Sequence, residues 1–141
     1  MESRVVETTV RVRYAETDQM GVAYYANFFV WFEVGRTEYC RACGPAYREM
    51  EEQDGAYLIV ADARCRYKAP ARYDDVLVVK TRLAESRSRV IVFHYEIFNK
   101  ETGQLLATGE TTHVVTDRNG RPRKLPERYR KALEMPTAAK D

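Results

Sequence analysis

Phe28-Phe29-Val30-Trp31-Phe32-Glu33-Val34-Gly35-Arg36-Thr37-Glu38-Tyr39-Cys40-Arg41-Ala42 is the stretch on which the fold turns. Phe28, Trp31, Phe32, Gly35, Tyr39 and Ala42 fall on one stripe, while Glu33, Arg36, Thr37 and Arg41 take the other sides. That is the period of an α-helix with one buried face. The pattern begins near residue 25, and Gly44-Pro45 stops it. Its first half, Phe28-Phe29-Val30-Trp31-Phe32, is apolar almost all round, so a curved sheet or a second subunit must wrap it.

The flanking segments read as strands. Residues 8–14 alternate, with Val10, Val12 and Tyr14 on one face and Arg11 and Arg13 on the other. After the helix and a short helical turn over Pro45–Glu52, four long β segments are expected at Tyr57–Tyr67, 76–85, 89–98 and Leu105–Thr116. Short connections between consecutive strands imply antiparallel hairpins. Alternation is clear in 89–98, where Ile91, Phe93, Tyr95 and Ile97 oppose Val90, Val92, His94 and Glu96. A basic segment, 121–131, ends in a short helix starting near Pro126. The expected class is α+β: a five-stranded antiparallel sheet around one long helix, in the order β-α-β-β-β-β with a short C-terminal helix.

At 141 residues, with 45% hydrophobic and 11% aromatic side chains, the chain suits a single domain over 1–141 with one sizeable core, its last residues, 136–141, frayed. Twenty-three Lys and Arg against 21 Asp and Glu leave a formal charge of +2, without the strong positive field of a general nucleic-acid binder. The N-terminus mixes acids and bases where a secretory signal needs roughly 7–15 apolar residues, and no run approaches the ~18 of a spanning helix. Three cysteines give no framework of several disulfides. A soluble, cytoplasmic protein is expected.

The inventory of reactive side chains closes most mechanisms. Serine occurs only at Ser3, Ser86 and Ser88, with no nucleophile elbow. His94 and His113 lie in expected strands and have no second ligand at short spacing, so neither is assigned a catalytic role. Cys40 and Cys43 have redox or zinc spacing but sit in the helix, where core filling is the expectation, and no metal site is predicted. The glycines form neither a dinucleotide nor a P-loop signature. What remains is carboxylate chemistry, and Asp18 stands out, three residues before Gly21 in the loop that leads to the helix. A helix start offers unpaired N–H groups and a positive dipole end that can polarise a carbonyl. A carboxylate beside it can attack that carbonyl or activate a water. On spacing alone, an ordinary turn or capping aspartate is the alternative.

The segment Arg13-Tyr14-Ala15-Glu16-Thr17-Asp18-Gln19-Met20-Gly21-Val22-Ala23-Tyr24-Tyr25-Ala26-Asn27-Phe28, followed by Phe32-Glu33-Val34-Gly35-Arg36, resembles the acyl-CoA thioesterases of the hotdog fold, in their 4-hydroxybenzoyl-CoA thioesterase-like branch. The likeness continues through Tyr67-Lys68-Ala69-Pro70-Ala71-Arg72-Tyr73-Asp74-Asp75. It implies a hydrolase that cleaves an acyl-CoA thioester to a carboxylic acid and free CoA, without metal or bound cofactor. By the same resemblance Asp18 is the catalytic carboxylate, as nucleophile or general base, and the backbone amide of Tyr25 is the donor to the thioester carbonyl. Glu33 is a second candidate, since one branch of these enzymes carries its carboxylate on the long helix; an ion pair with Arg36 is the alternative. Gly21, Val22, Tyr24 and Phe28 would shape the acyl pocket. Arg87 and Arg89, and then the 121–131 cluster, would hold the CoA phosphates. The family's members join as dimers, often paired into tetramers, with sites at subunit interfaces. Many bacterial relatives carry His where this chain has Tyr25. Three rivals remain: a hotdog dehydratase for hydroxyacyl thioesters, a non-catalytic acyl-CoA sensor, and RNA binding through the basic tail.

Overall fold

The structure is a computed structural model that describes residues 4–136. Its elements in chain order are β1 (Val5–Arg11), α1 (Asn27–Ala42), α2 (Pro45–Glu52), β2 (Tyr57–Tyr67), β3 (Val76–Ser86), β4 (Val90–Asn99), β5 (Leu105–Thr116) and α3 (Glu127–Glu134), with a 3-10 turn at Tyr14–Glu16. The five strands form one antiparallel sheet in the order β1-β3-β4-β5-β2. Most of the segment expected to fray, 137–141, lies outside the described residues.

Helix α1 lies on one face of this sheet and packs against β1, β3 and β4. Phe28, Trp31, Phe32, Gly35, Tyr39 and Cys40 are its buried positions. Register places Thr81, Tyr95 and Gly109 side by side on β3, β4 and β5. The helix sits directly on that row. Phe32 stacks on Tyr95 with ring centroids 4.5 Å apart, and a Cβ at Gly109 would collide with the Phe32 ring while coming within 2.9 Å of the Arg64 carbonyl oxygen. On the helix side, a Cβ at Gly35 would meet the Thr81 hydroxyl and come within 2.7 Å of a Val79 methyl. Absent side chains at these two points therefore set the distance between helix and sheet. Ile91, Phe93, Tyr95 and Ile97 are all fully buried, as is the β3 row of Leu77, Val79 and Thr81.

A polar thread runs through this layer. Arg36 donates to the Tyr95 hydroxyl at 3.0 Å, which shares a hydrogen bond with Thr111 at 2.6 Å, and Thr111 meets His113 Nε2 at 2.9 Å. Burial, followed by the Arg36 charge, pulls the His113 pKa down to about 4. This histidine is a neutral core residue at neutral pH.

Two details differ from the sequence reading. β1 ends at Arg11, because Val12 turns away to donate its N–H to the Asp75 carbonyl, and Tyr14, expected on the core face, is 77% exposed. β2 does not form a hairpin with β3: it pairs with β5 at the sheet's edge. The amides of Lys68 and Ala69 both bond the Leu106 carbonyl, which ties the 68–75 connection across the end of the sheet. β2 has no buried residue, and Ile59, Val60 and, on α1, Val30 are each about half exposed. One protomer's sheet thus covers only part of the apolar first half of α1. Among the described residues no helix is long and apolar enough to cross a membrane.

The glycine contacts make a direct prediction. Gly35→Ala and Gly109→Ala should each lower the stability measured by urea unfolding by about 1–3 kcal/mol, the usual range for overpacking. Unchanged unfolding midpoints would mean that the helix does not rest on the sheet at these points.

Candidate active site at the start of the long helix

The segment between β1 and α1 folds back on itself as a small antiparallel ribbon. Thr17 bridges Ala23, the Asp18 N–H bonds the Val22 carbonyl at 2.9 Å, and the Gly21 N–H closes the turn onto the Asp18 carbonyl at 3.0 Å. Gly21 has φ +80°, a conformation glycine adopts freely, and a Cβ there would touch nothing; its contribution is the turn. The Asp18 carboxylate accepts the Met20 N–H at 2.8 Å through Oδ1 and is partly exposed. The ribbon docks on the sheet's end through Val22 opposite Arg72 and the Ala23 N–H on the Ala71 carbonyl at 2.7 Å.

A buried acid holds this ribbon to the helix. Glu16 is only 5% exposed. Its carboxylate accepts the Arg13 N–H at 2.8 Å and the Trp31 indole N–H at 3.3 Å, with the Arg13 guanidinium 3.5 Å away. Its carbonyl accepts the Tyr24 N–H and the Asn27 side-chain amide, both at 2.8 Å. Five donor contacts from three separate points of the chain thus converge on one residue. Asn27, near the helix start, supports the loop.

The first-turn amides of α1 are already used: Asn27 bonds the Tyr24 carbonyl, Phe28 that of Tyr25 and Phe29 that of Ala26. Just ahead of them, the N–H groups of Tyr25 and Ala26 donate to no acceptor among the described residues. Around these amides stand Tyr24 and Tyr25, about half exposed, and Tyr67 at the end of β2, packed edge-on against Tyr25 and Phe28. Phe28 is 3% exposed, so it backs this wall from the core.

The family model described as the thioesterase-like superfamily matches residues 12–140. The chain belongs to that superfamily, among the hotdog thioesterases. It is 37% identical over 129 residues to YneP of Bacillus subtilis, covering 92% of this chain and 90% of that protein. With the acyl-CoA thioester hydrolase YbgC of Escherichia coli it shares 33% identity over 128 residues, covering 90% and 94%. Among solved structures, a DHNA-CoA thioesterase from Staphylococcus aureus superposes with a TM-score of 0.83 at 35% identity, covering 91% of this chain and 87% of that one.

Within this hotdog chain, the loop carrying Asp18, Gly21 and Val22 and the segment carrying Tyr24, Tyr25 and Phe28 meet at one end of the sheet. Glu33 lies on the exposed side of α1. Its alternative role as an Arg36 ion pair is not realised: Arg36 reaches inward to Tyr95, and no such pair occurs among the described residues. Arg87 and Arg89 stand at the opposite end, in the turn between β3 and β4, where Arg87 pairs with Glu85 at 2.8 Å. Ten residue steps of β3, about 33 Å at ~3.3 Å each, separate the two ends. Within one protomer they cannot share a ligand's reacting end. Cys40 and Cys43 have thiols pushed up to about 12 by burial, and no group of three or more metal-ligating side chains is clustered among the described residues.

Glu16 and Tyr67 were not singled out by the sequence. An acid two residues before Asp18 in a polar turn reads as solvated, and only the 15-residue separation from Trp31 across the fold reveals its burial. In Glu16→Gln one carboxylate oxygen becomes an NH2 facing an N–H donor. Urea unfolding should show a loss of about 1–3 kcal/mol, and that loss should shrink in a Trp31→Phe background, where the indole donor is gone. Strict additivity of the two substitutions would contradict the clamp.

Proposed function

We propose that this chain hydrolyses acyl-CoA thioesters to a carboxylic acid and free CoA, with Asp18 as the reacting carboxylate and the Tyr25 N–H polarising the carbonyl. The observation that carries this reading is the Tyr25 N–H at the start of α1, which has no acceptor among the described residues and lies two residues beyond the ribbon that carries the Asp18 carboxylate. An amide fixed in place before the reaction stabilises the oxyanion without reorganising, and the dipole of α1 adds to it. The Asp18 carboxylate then either adds to the carbonyl carbon and expels CoA as thiolate, leaving an anhydride that water opens, or takes a proton from a water that attacks directly. Each route consumes one water and ends in the same acid and thiol. The residues of this chain suffice for either, so no metal or bound cofactor is invoked.

The acyl group we propose is aromatic. The exposed rings of Tyr24, Tyr25 and Tyr67 offer flat faces beside the reacting centre, and the similar Staphylococcus enzyme is named a DHNA-CoA thioesterase. The working unit we propose is a dimer joined along the open β2 edges, with a dimer of such dimers as the larger form. This covers Ile59 and Val60 and supplies the second wall of the pocket. Antiparallel pairing of two β2 strands also sets the partner's β3–β4 turn at the end of the joined sheet where Asp18 lies. Its Arg87 and Arg89 then serve the CoA phosphates. Glu33 is left outside the reacting set. A dehydratase would need a histidine at the loop, and His113 is instead buried on β5 against Thr111.

Asp18→Asn preserves shape and removes the base or nucleophile. Thiol release followed with a chromogenic disulfide should fall by about 10²–10⁴, with aryl-CoA esters the best substrates of the unaltered protein by kcat/KM. Undiminished turnover in the variant would refute the assignment, and binding of CoA esters without any hydrolysis by the unaltered protein would favour a sensor.

A further inference from the structure

Tyr67 ends β2, 42 residues from Tyr25 in sequence, yet its hydroxyl donates to the Tyr25 carbonyl at 2.9 Å. The same carbonyl accepts the Phe28 N–H at 3.2 Å. The carbonyl and the N–H of one peptide plane point in opposite directions, so two donors on the Tyr25 carbonyl fix the direction of the Ala26 N–H. Ala26 has φ −64° and ψ −22°, helical values that turn its N–H outward along the axis of α1. That N–H has no acceptor among the described residues. Hydrogen bonding at the carbonyl also strengthens the amide as a donor.

Accepting the thioesterase reading above, we infer that Tyr67 is a positioning residue: its hydroxyl locks the Tyr25–Ala26 peptide so that the Ala26 N–H joins that of Tyr25 as a second donor to the thioester oxygen. A strand-end hydroxyl is well suited to this task. The Tyr67 ring is held edge-on by Phe28, with centroids 5.1 Å apart, and by Tyr25 at 6.3 Å. Burial and the neighbouring Cys65 thiol raise the phenol above the ordinary tyrosine range, so the proton it donates is present throughout the working pH range. Because Tyr67 lies on the open edge strand, the same residue links the donor geometry to the strand we propose as the dimer seam. A hydroxyl acting through a peptide predicts a change in kcat; one that touched only bound substrate equally in ground and transition states would change KM.

Two substitutions test this. Tyr67→Phe keeps the ring and removes the donor. Ala26→Pro removes the N–H itself at a residue whose φ already matches proline and whose amide has no acceptor among the described residues. Because proline also restricts Tyr25 before it, Tyr67→Phe is the deciding variant and Ala26→Pro the supporting one. With an aryl-CoA ester, Ala26→Pro should lower kcat about 100-fold and Tyr67→Phe about 10-fold, each with KM within about threefold. Adding Tyr67→Phe to Ala26→Pro should cost less than about twofold more, since the amide it orients is gone. Parental kcat in a folded Ala26→Pro protein, or a Tyr67→Phe effect undiminished in that background, would overturn the inference. If melting shows that Ala26→Pro has lost its fold, Tyr67→Phe decides alone, and an unchanged kcat overturns it. An active Ala26→Pro beside an inactive Asp18→Asn would remove only the second donor; an active Asp18→Asn would remove the thioesterase reading beneath it.

Discussion

Helix α1 rests on its sheet at a distance that Gly35 and Gly109 alone allow, and everything at the site inherits its position from that contact. Phe32 fills the space over Gly109 and lies flat on Tyr95. With the middle of the helix fixed in this way, its N-terminal end is delivered to the rim where β1 finishes and β3 begins. The loop before the helix has little freedom left. It must leave β1 at Arg11, turn through the 3-10 segment at Tyr14–Glu16 and meet the helix at Asn27, all within residues 12–26.

Glu16 makes that return specific. A buried carboxylate without donors would be strongly unfavourable, and here its oxygens are met by a backbone amide and an indole from opposite sides of the loop. The arrangement couples core and site through one side chain: Trp31 is a core residue of α1, and Glu16 is two residues from Asp18. Satisfying the acid and placing the Asp18 loop are then the same structural event. The amides of Tyr25 and Ala26, without an acceptor among the described residues, are what remains after the Glu16, Tyr24, Tyr25 and Ala26 carbonyls have taken the neighbouring donors. Both residues are exposed, so these N–H groups stand open to an incoming ligand oxygen.

Much of this could be read from the amino-acid order because burial leaves a periodic trace. The stripe of Phe28, Trp31, Phe32, Gly35 and Tyr39 and the alternation of Ile91, Phe93, Tyr95 and Ile97 are such traces, and both sets are buried. The errors came where chain direction is set by single hydrogen bonds. Val12 leaves the strand through its bond to Asp75, which moves Tyr14 off the core face, and no local pattern marks that bond. The edge position of β2 follows from pairing with β5 far along the chain, so adjacency in sequence misled. Asp18 was singled out by its motif-bearing turn, and the structure shows that turn, closed by the Gly21 N–H on the Asp18 carbonyl. Glu16 and Tyr67 were not singled out, since their partners lie 15 and 42 residues away. Arg87 and Arg89 carry the charge expected of a phosphate site, and only the topology shows that their turn lies at the end of the sheet opposite Asp18.

The central claim is that the amides ahead of α1 bind and polarise the thioester oxygen beside Asp18. The most direct measurement is the infrared carbonyl frequency of a ¹³C-labelled aryl-CoA ester bound to the Asp18→Asn protein, taken as a difference against the unlabelled ester. The account predicts a frequency below that of the same ester in water, because two fixed donors weaken the C=O bond more than mobile solvent does. A bound carbonyl at or above its frequency in water would contradict it.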